Sequence, residues 1–194
     1  MTSTPGLRER KKLAAMQRIQ EVALDLFDER GFDNVTIEQI ADAAEVSPSS
    51  VYRYFGTKEQ VILWDDFDVQ FFDAADVELT TKPPVEAIRS ALAEAMTRFY
   101  ERDEALAQRK TRYALEEPAL RLAMLEATDQ FARRVALGLR GASDPPLDEF
   151  EAEVTATVLV WAMVAASRHW HENGYRTPIR DELERALEMV ERGL

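Results

Sequence analysis

Apolar residues recur along most of this 194-residue chain at spacings of three and four, rarely in strict alternation. That period belongs to helices that bury one stripe, so the expected fold class is all-α. The first stripe, Leu13, Met16, Ile19, Ala23, Leu26 and Phe27, predicts a helix over 8–30 that Gly31 ends. Three short helices should follow, each with a marked start. Thr36 with Gln39 forms a capping box, Ser47 caps a helix whose first turn holds Pro48, and Thr57 with Gln60 forms a second capping box. The third of these is expected to run on past Val61 through Trp64, Phe67, Phe71 and Phe72, fading near Thr80, before Pro83 and Pro84 impose a break. Further helices are expected over 85–101, 104–115, 118–139, 147–172 and 178–192, with loops at 141–146 and 174–178.

The segment from Thr36 to Phe55 reads as a short helix, a three-residue turn and a second short helix, the pattern of a helix-turn-helix. Ile37, Ile40, Ala41 and Ala44 supply an apolar face, small Ala41 allows close crossing, and Val46 fills the angle between the helices. In the second helix Val51 and Phe55 lie four apart and face inward. Ser49, Ser50, Tyr52, Arg53 and Tyr54 then face outward, groups suited to base edges and phosphates in a major groove.

Charge first argues against a nucleic-acid partner, because the chain carries a formal −12. Its distribution reverses that impression. Residues 1–60 hold eight basic and ten acidic side chains, so the remainder of the chain carries −10, and within 1–20 five basic groups face Glu9 alone. A basic arm therefore precedes the helix-turn-helix. The absence of cysteine excludes a disulfide framework, a thiol nucleophile and a thiolate metal cage, as expected of a protein of the reducing cytoplasm. Residues 1–12 lack the apolar centre of a secretory signal. The uncharged run from Val154 to Ser167 is shorter than the roughly 20 apolar residues of a membrane span, so a buried helix and no membrane partner are expected.

Phe27, Gly31, Thr36, Ile40-Ala41, Ala44, Val46-Ser47, Val51-Tyr52, Tyr54-Phe55 and Lys58-Glu59 resemble, in order and spacing, the DNA-binding domain of TetR-type (tetracycline-repressor) regulators. The resemblance implies an N-terminal three-helix DNA-binding domain over 1–63 and a helical ligand-binding and dimerisation domain over 64–194. It also implies that Thr36, Tyr52 and Lys58 hold phosphates of double-stranded operator DNA and that Ser47, Ser49, Ser50 and Tyr54 lie at base edges, with Arg53 beside them. Three positions depart from the family pattern: Glu45 replaces a turn glycine, Ser49 a frequent glycine and Tyr54 a frequent histidine. Glu45 must then adopt positive φ or the turn must change shape.

Beyond residue 64, the apolar helix over 147–172 shows Val154, Val158, Trp161 and Ala165 on one side and Leu159, Ala162, Met163 and Ala166 on others, so it needs cover on several faces. The final helix presents Ile179, Leu183, Leu187 and Val190. By family resemblance this pair of helices forms a homodimer, which would set two recognition helices on a pseudo-palindromic site. Phe67, Phe71, Met96, Phe99, Tyr100, Arg112, Tyr113, Phe131, Trp161 and Trp170 are core candidates that would also suit an apolar effector pocket, with Arg112 free to pair with Glu116 or with an anion. The stretch 112–124, Trp170 and the tail 181–190 resemble a TetR subgroup associated with acyl-coenzyme-A-like ligands, which implies a fatty-acyl effector.

No cofactor or metal is expected. His169 and His171, the only histidines, are two apart and point to different sides of a helix. No phosphate-cradling glycine loop, nucleophile elbow or histidine near a nucleophile supports an enzyme, and Glu149, Glu151 and Glu153 suit a solvated face better than an acid and base pair. Turnover of a ligand by a helical binding protein is the competing function. The sign of regulation, repressor or activator, depends on operator position.

Overall fold

The structure, a computed structural model, describes residues 6–65, 67–142 and 147–193, and the side chains of Leu7 and Glu9 are outside that description. Among the described residues there are ten α-helices and no strand. The chain divides into two compact units, Met1–Trp64 and Asp65–Leu194.

In the first unit α1 (Leu7–Arg30) buries Met16, Ile19, Ala23, Leu26 and Phe27 of the predicted stripe, leaves Leu13 half-buried and adds Leu24. Gly31, at φ 80°, ends it, and its N–H bonds to Phe27 O. A short 3-10 turn (Phe32–Asn34) then folds Phe32 against Phe27, ring centroids 5.0 Å apart. Helices α2 (Ile37–Ala43) and α3 (Pro48–Phe55) form the helix-turn-helix over Ile40, Ala41 and Val51, all fully buried. Glu45 in the turn takes φ 57°, the left-handed conformation a glycine would adopt more readily.

Helix α4 (Lys58–Leu63) starts at Thr57, whose hydroxyl accepts from Gln60 N–H, but it does not continue towards Thr80 as expected. Trp64 turns extended at ψ 132°, and Asp65 Oδ1 accepts from Phe67 N–H to open a separate α5 (Phe67–Glu78). The cause lies far away in sequence. Buried Gln20 of α1 donates through Nε2 to Val61 O, Ile62 O and Trp64 O at 2.7, 3.2 and 2.8 Å, satisfying carbonyls that a longer helix would use itself.

The second unit comprises α5, α6 (Pro84–Arg102), α7 (Glu104–Glu116), α8 (Pro118–Ala142), α9 (Glu149–Glu172) and α10 (Ile179–Glu191). The expected loop at 141–146 is partly helix, since α8 runs through Ala142; positions 143–146 lie outside the described residues. Asp148 and Glu151 form a reciprocal capping box that starts α9 two residues later than its hydrophobic period suggests. By length and composition α9 could pass for a membrane span, yet it packs between α8 and α10 and buries Leu159, Val160, Met163 and Trp170.

Candidate nucleic-acid interface and effector body

The start of α3 gathers hydroxyl groups because a serine cap turns its side chain back over the first turn. Ser47 Oγ accepts from Ser50 N–H at 3.3 Å and lies 3.0 Å from Ser49 Oγ and 2.9 Å from Ser50 Oγ. Arg53 extends the group one turn on, donating to Ser50 Oγ at 3.4 Å and to Tyr54 OH at 3.3 Å, with its guanidinium 4.9 Å from the Tyr54 ring centre. Ser47, Ser49, Ser50, Arg53 and Tyr54 thus form one connected polar edge, exposed or half-buried, above buried Val51 and Phe55. Its hydrogen-bond capacity is held at one capped helix start.

Tyr52, 49% exposed, points to a different side and donates to Glu38 Oε1 of α2 at 3.2 Å. Glu38 raises the Tyr52 phenol above its ordinary pKa, chiefly through its negative charge. The backbone N–H of Glu38 itself, and then the Thr36 hydroxyl, hold the Glu38 carboxyl below its ordinary pKa. Thr36 itself caps α2: Gln39 N–H donates to its hydroxyl and its own N–H donates to Gln39 Oε1. Lys58 is half-buried, donating through Nζ to Phe32 O at 2.7 Å and to Val35 O at 3.2 Å, 4.2 Å from the Phe32 ring centre. Two of its three N–H donors are therefore engaged inside the unit. A structural duty is added to the phosphate contact expected of it.

The structure gathers only part of the aromatic set expected to line a ligand site. Phe67, Phe71 and Phe72 of α5 meet Phe99 of α6 and Phe131 of α8 in a nest of rings with centroids 4.9–6.4 Å apart. Half-buried Met96 packs against the same core. Tyr100 and Trp170 extend it as core packing: the Tyr100 hydroxyl donates to Ser167 Oγ at 2.8 Å, and Trp170 Nε1 donates to Thr177 O at 2.9 Å. Burial pushes the Tyr100 phenol up from its ordinary pKa. Arg112 stacks over Tyr113, 5.0 Å from the ring centre, and Glu116 lies 3.1 Å from His171 Nε2. Trp161 shares the outer side of α9 with Val154 and Val158, 44% and 39% exposed, and with exposed Ala165.

Two groups that residue type alone did not single out belong to this region. Lys110 of α7, 8% exposed, places Nζ 3.4 Å from Asp65 Oδ2 and 5.0 Å from the Phe99 ring centre. Their separation of 45 residues hid them, since nothing local marks a lysine in a charged helix as buried. Among the described residues no group of three or more His, Cys, Asp or Glu side chains could hold a metal ion.

A helix-turn-helix with a polar outer edge, followed by an all-helical body that encloses a ring nest, defines the class of one-chain DNA-binding regulators with a sensor domain. Comparison with known proteins makes this specific. The family described as bacterial regulatory proteins of the tetR family matches residues 19–63, and the MftR C-terminal domain matches residues 82–194. The chain belongs to the TetR family of ligand-responsive transcriptional regulators. It is 29% identical over 175 residues to the transcriptional regulator TcmR of Streptomyces glaucescens, covering 86% of this chain and 77% of that one. Its fold resembles the TetR-family repressor FadR of Thermus thermophilus in complex with lauroyl-CoA, with TM-score 0.57, 24% identity, and 92% and 94% of the two chains covered. It also resembles SmeT in complex with triclosan, with TM-score 0.63, 18% identity, and 93% and 91% covered.

Proposed function

We propose that the protein binds a palindromic operator as a homodimer and is released from it by a small, largely apolar molecule held in the body, so that it acts as a repressor. The connected edge of Ser47, Ser49, Ser50, Arg53 and Tyr54 carries this reading, since it presents donors and acceptors together on the outer side of one short helix, the kind of groups that read base edges. Thr36, Tyr52 and Lys58 flank it as phosphate contacts that set position without reading sequence. To reach a phosphate, Tyr52 exchanges its bond to Glu38 for one to the DNA.

Dimerisation is assigned to the outer side of α9, with α10 beside it. Phe150, 74% exposed, continues the line of Val154, Val158, Trp161 and Ala165, and α10 adds Met189 at 44%. Such a row is costly to leave in water and self-complementary about a two-fold axis. Phe67, Phe71 and Phe99 are assigned to line the effector region and Arg112 and Tyr113 to border it, while Trp170 backs it as core and Trp161 is assigned to the dimer side. That solved relatives hold lauroyl-CoA and triclosan supports an apolar effector, and the fatty-acyl class expected from the sequence is one member of it. DNA and effector are coupled through conformation, so each weakens the other by the same factor.

Selection of bound duplexes from a random DNA pool tests the reading. A two-fold symmetric site is expected, with half-sites one helical turn or a multiple of it apart; absence of enrichment at moderate salt overturns it.

A further inference from the structure

The ring nest, one buried cation and the acid that opens the body occupy the same part of it. Phe71 and Phe131 are buried, whereas Phe67, Phe72 and Phe99 are half-buried. Lys110 stands beside Phe99 with its ammonium on Asp65 Oδ2. Asp65 is the first residue of the body, and its other oxygen accepts the Phe67 N–H at 3.0 Å that starts α5. One carboxylate therefore holds both the cation and the start of the helix that carries three of the five rings.

We propose that this nest is the effector subsite and that the effector is a planar aromatic acid, its rings entering among the phenylalanines and its anion taking Lys110 from Asp65; this rests on the ligand-responsive reading above. The ring pairs already meet edge to face, at 70° for Phe71 with Phe131 and 79° for Phe67 with Phe99. A planar guest meets the same edges and faces in the geometry aromatic rings prefer, a gain that a saturated chain of equal area lacks. Lys110 is the buried cation of the nest, whereas Arg134, 4.4 Å from the Phe72 ring centre, is half-exposed and paired with Asp68. An ammonium this buried demands an anion, a cationic guest is repelled, and a neutral guest leaves Asp65 in place. An anionic guest offers a second carboxylate for one ammonium, and two carboxylates on one cation repel each other. Asp65 then leaves Lys110, freeing the residue that directly follows the DNA-binding unit.

Titration calorimetry of the full chain with 2-naphthoate, 2-naphthalenemethanol and decanoate tests the site. The proposal predicts that 2-naphthoate binds roughly tenfold or more tighter than either of the others. Lys110→Met removes the preference for acid over alcohol, Lys110→Arg keeps it, and Asp65→Asn strengthens 2-naphthoate binding severalfold. Should Lys110→Met fail to fold, the Lys110→Arg and Asp65→Asn outcomes still decide. Tighter binding of decanoate overturns the aromatic class, a preference that survives Lys110→Met in a folded protein overturns the role of the lysine, and no binding of any probe by folded wild type overturns the site. Operator binding by the same preparations separates the two readings: a protein that binds the selected operator but no probe keeps the regulator and loses this site, and one that binds no operator loses the regulator.

Discussion

In the N-terminal unit the polar groups of α3 point outward over a small apolar core, whereas in the body a lysine, the acid paired with it and a chain of aromatic rings turn inward. Arg18 and Glu45 pair at 3.3 Å with both side chains largely in water, an arrangement of little energetic weight. Lys110 and Asp65 pair at a similar distance with the lysine almost wholly buried, where removing one partner strands the other. The same residue types thus lie in water in one unit and stand inside the packing in the other. The charge follows this division, with the body carrying most of the negative excess. A DNA-binding protein can be strongly acidic when its acids stay away from the recognition edge.

The largest way to break this division is at the outer side of α9. Val158→Glu should leave a folded monomer and weaken operator binding by at least about 100-fold, because the two half-sites no longer bind as one unit; sedimentation and anisotropy measure both. Gln20→Leu should destabilise the first unit by about 1–3 kcal/mol in urea melts, since three carbonyls at the end of α4 lose their donor. Lys58→Ala should lower affinity for all sequences alike and reduce the salt slope by about one. It should also lower the melting temperature of the unit, because the carbonyls of Phe32 and Val35 lose their partner. Glu45→Gly should stabilise by about 0.5–1 kcal/mol, through relief of a left-handed residue offset by the loss of a weak surface pair.

The smallest effect concerns pH. The folded pKa of Glu38 is depressed, so its contribution is present above the unfolded value of 4.5 and is lost as pH falls through the folded value. Glu38→Gln should lower stability slightly at neutral pH, where that contribution is present, and flatten the acid limb below about pH 4.5, so that the two proteins converge in acid. The phenol of Tyr52 runs the opposite way. Its raised pKa keeps its contribution intact below pH 10, to be lost as pH climbs through the folded value.

What could be read from the sequence follows the range of the interactions. The caps at Thr36, Ser47 and Thr57 involve residues three apart, so residue type and spacing revealed them. Positive φ at Glu45 was one of two alternatives left by the missing glycine, and it is the one adopted. The break after Leu63 was not legible, because Gln20 makes it from 41 to 44 residues away. Lys110 and Asp65 were likewise hidden among ordinary surface charges. Trp170 and Phe71 are both candidates for core or pocket by residue type, and the structure buries both, but only Phe71 stands in the phenylalanine nest.

The recognition edge of α3 is the centre of this account, and Ser50 sits in the middle of it, 2.9 Å from Ser47 Oγ. The direct measurement is competitive binding of single-base variants of the selected operator to wild type and to Ser50→Ala. Base readout predicts that discrimination relaxes at one base pair in each half-site, by about 1–3 kcal/mol, and holds elsewhere. Equal weakening across every variant would contradict it and leave Ser50 as a part of the helix cap alone.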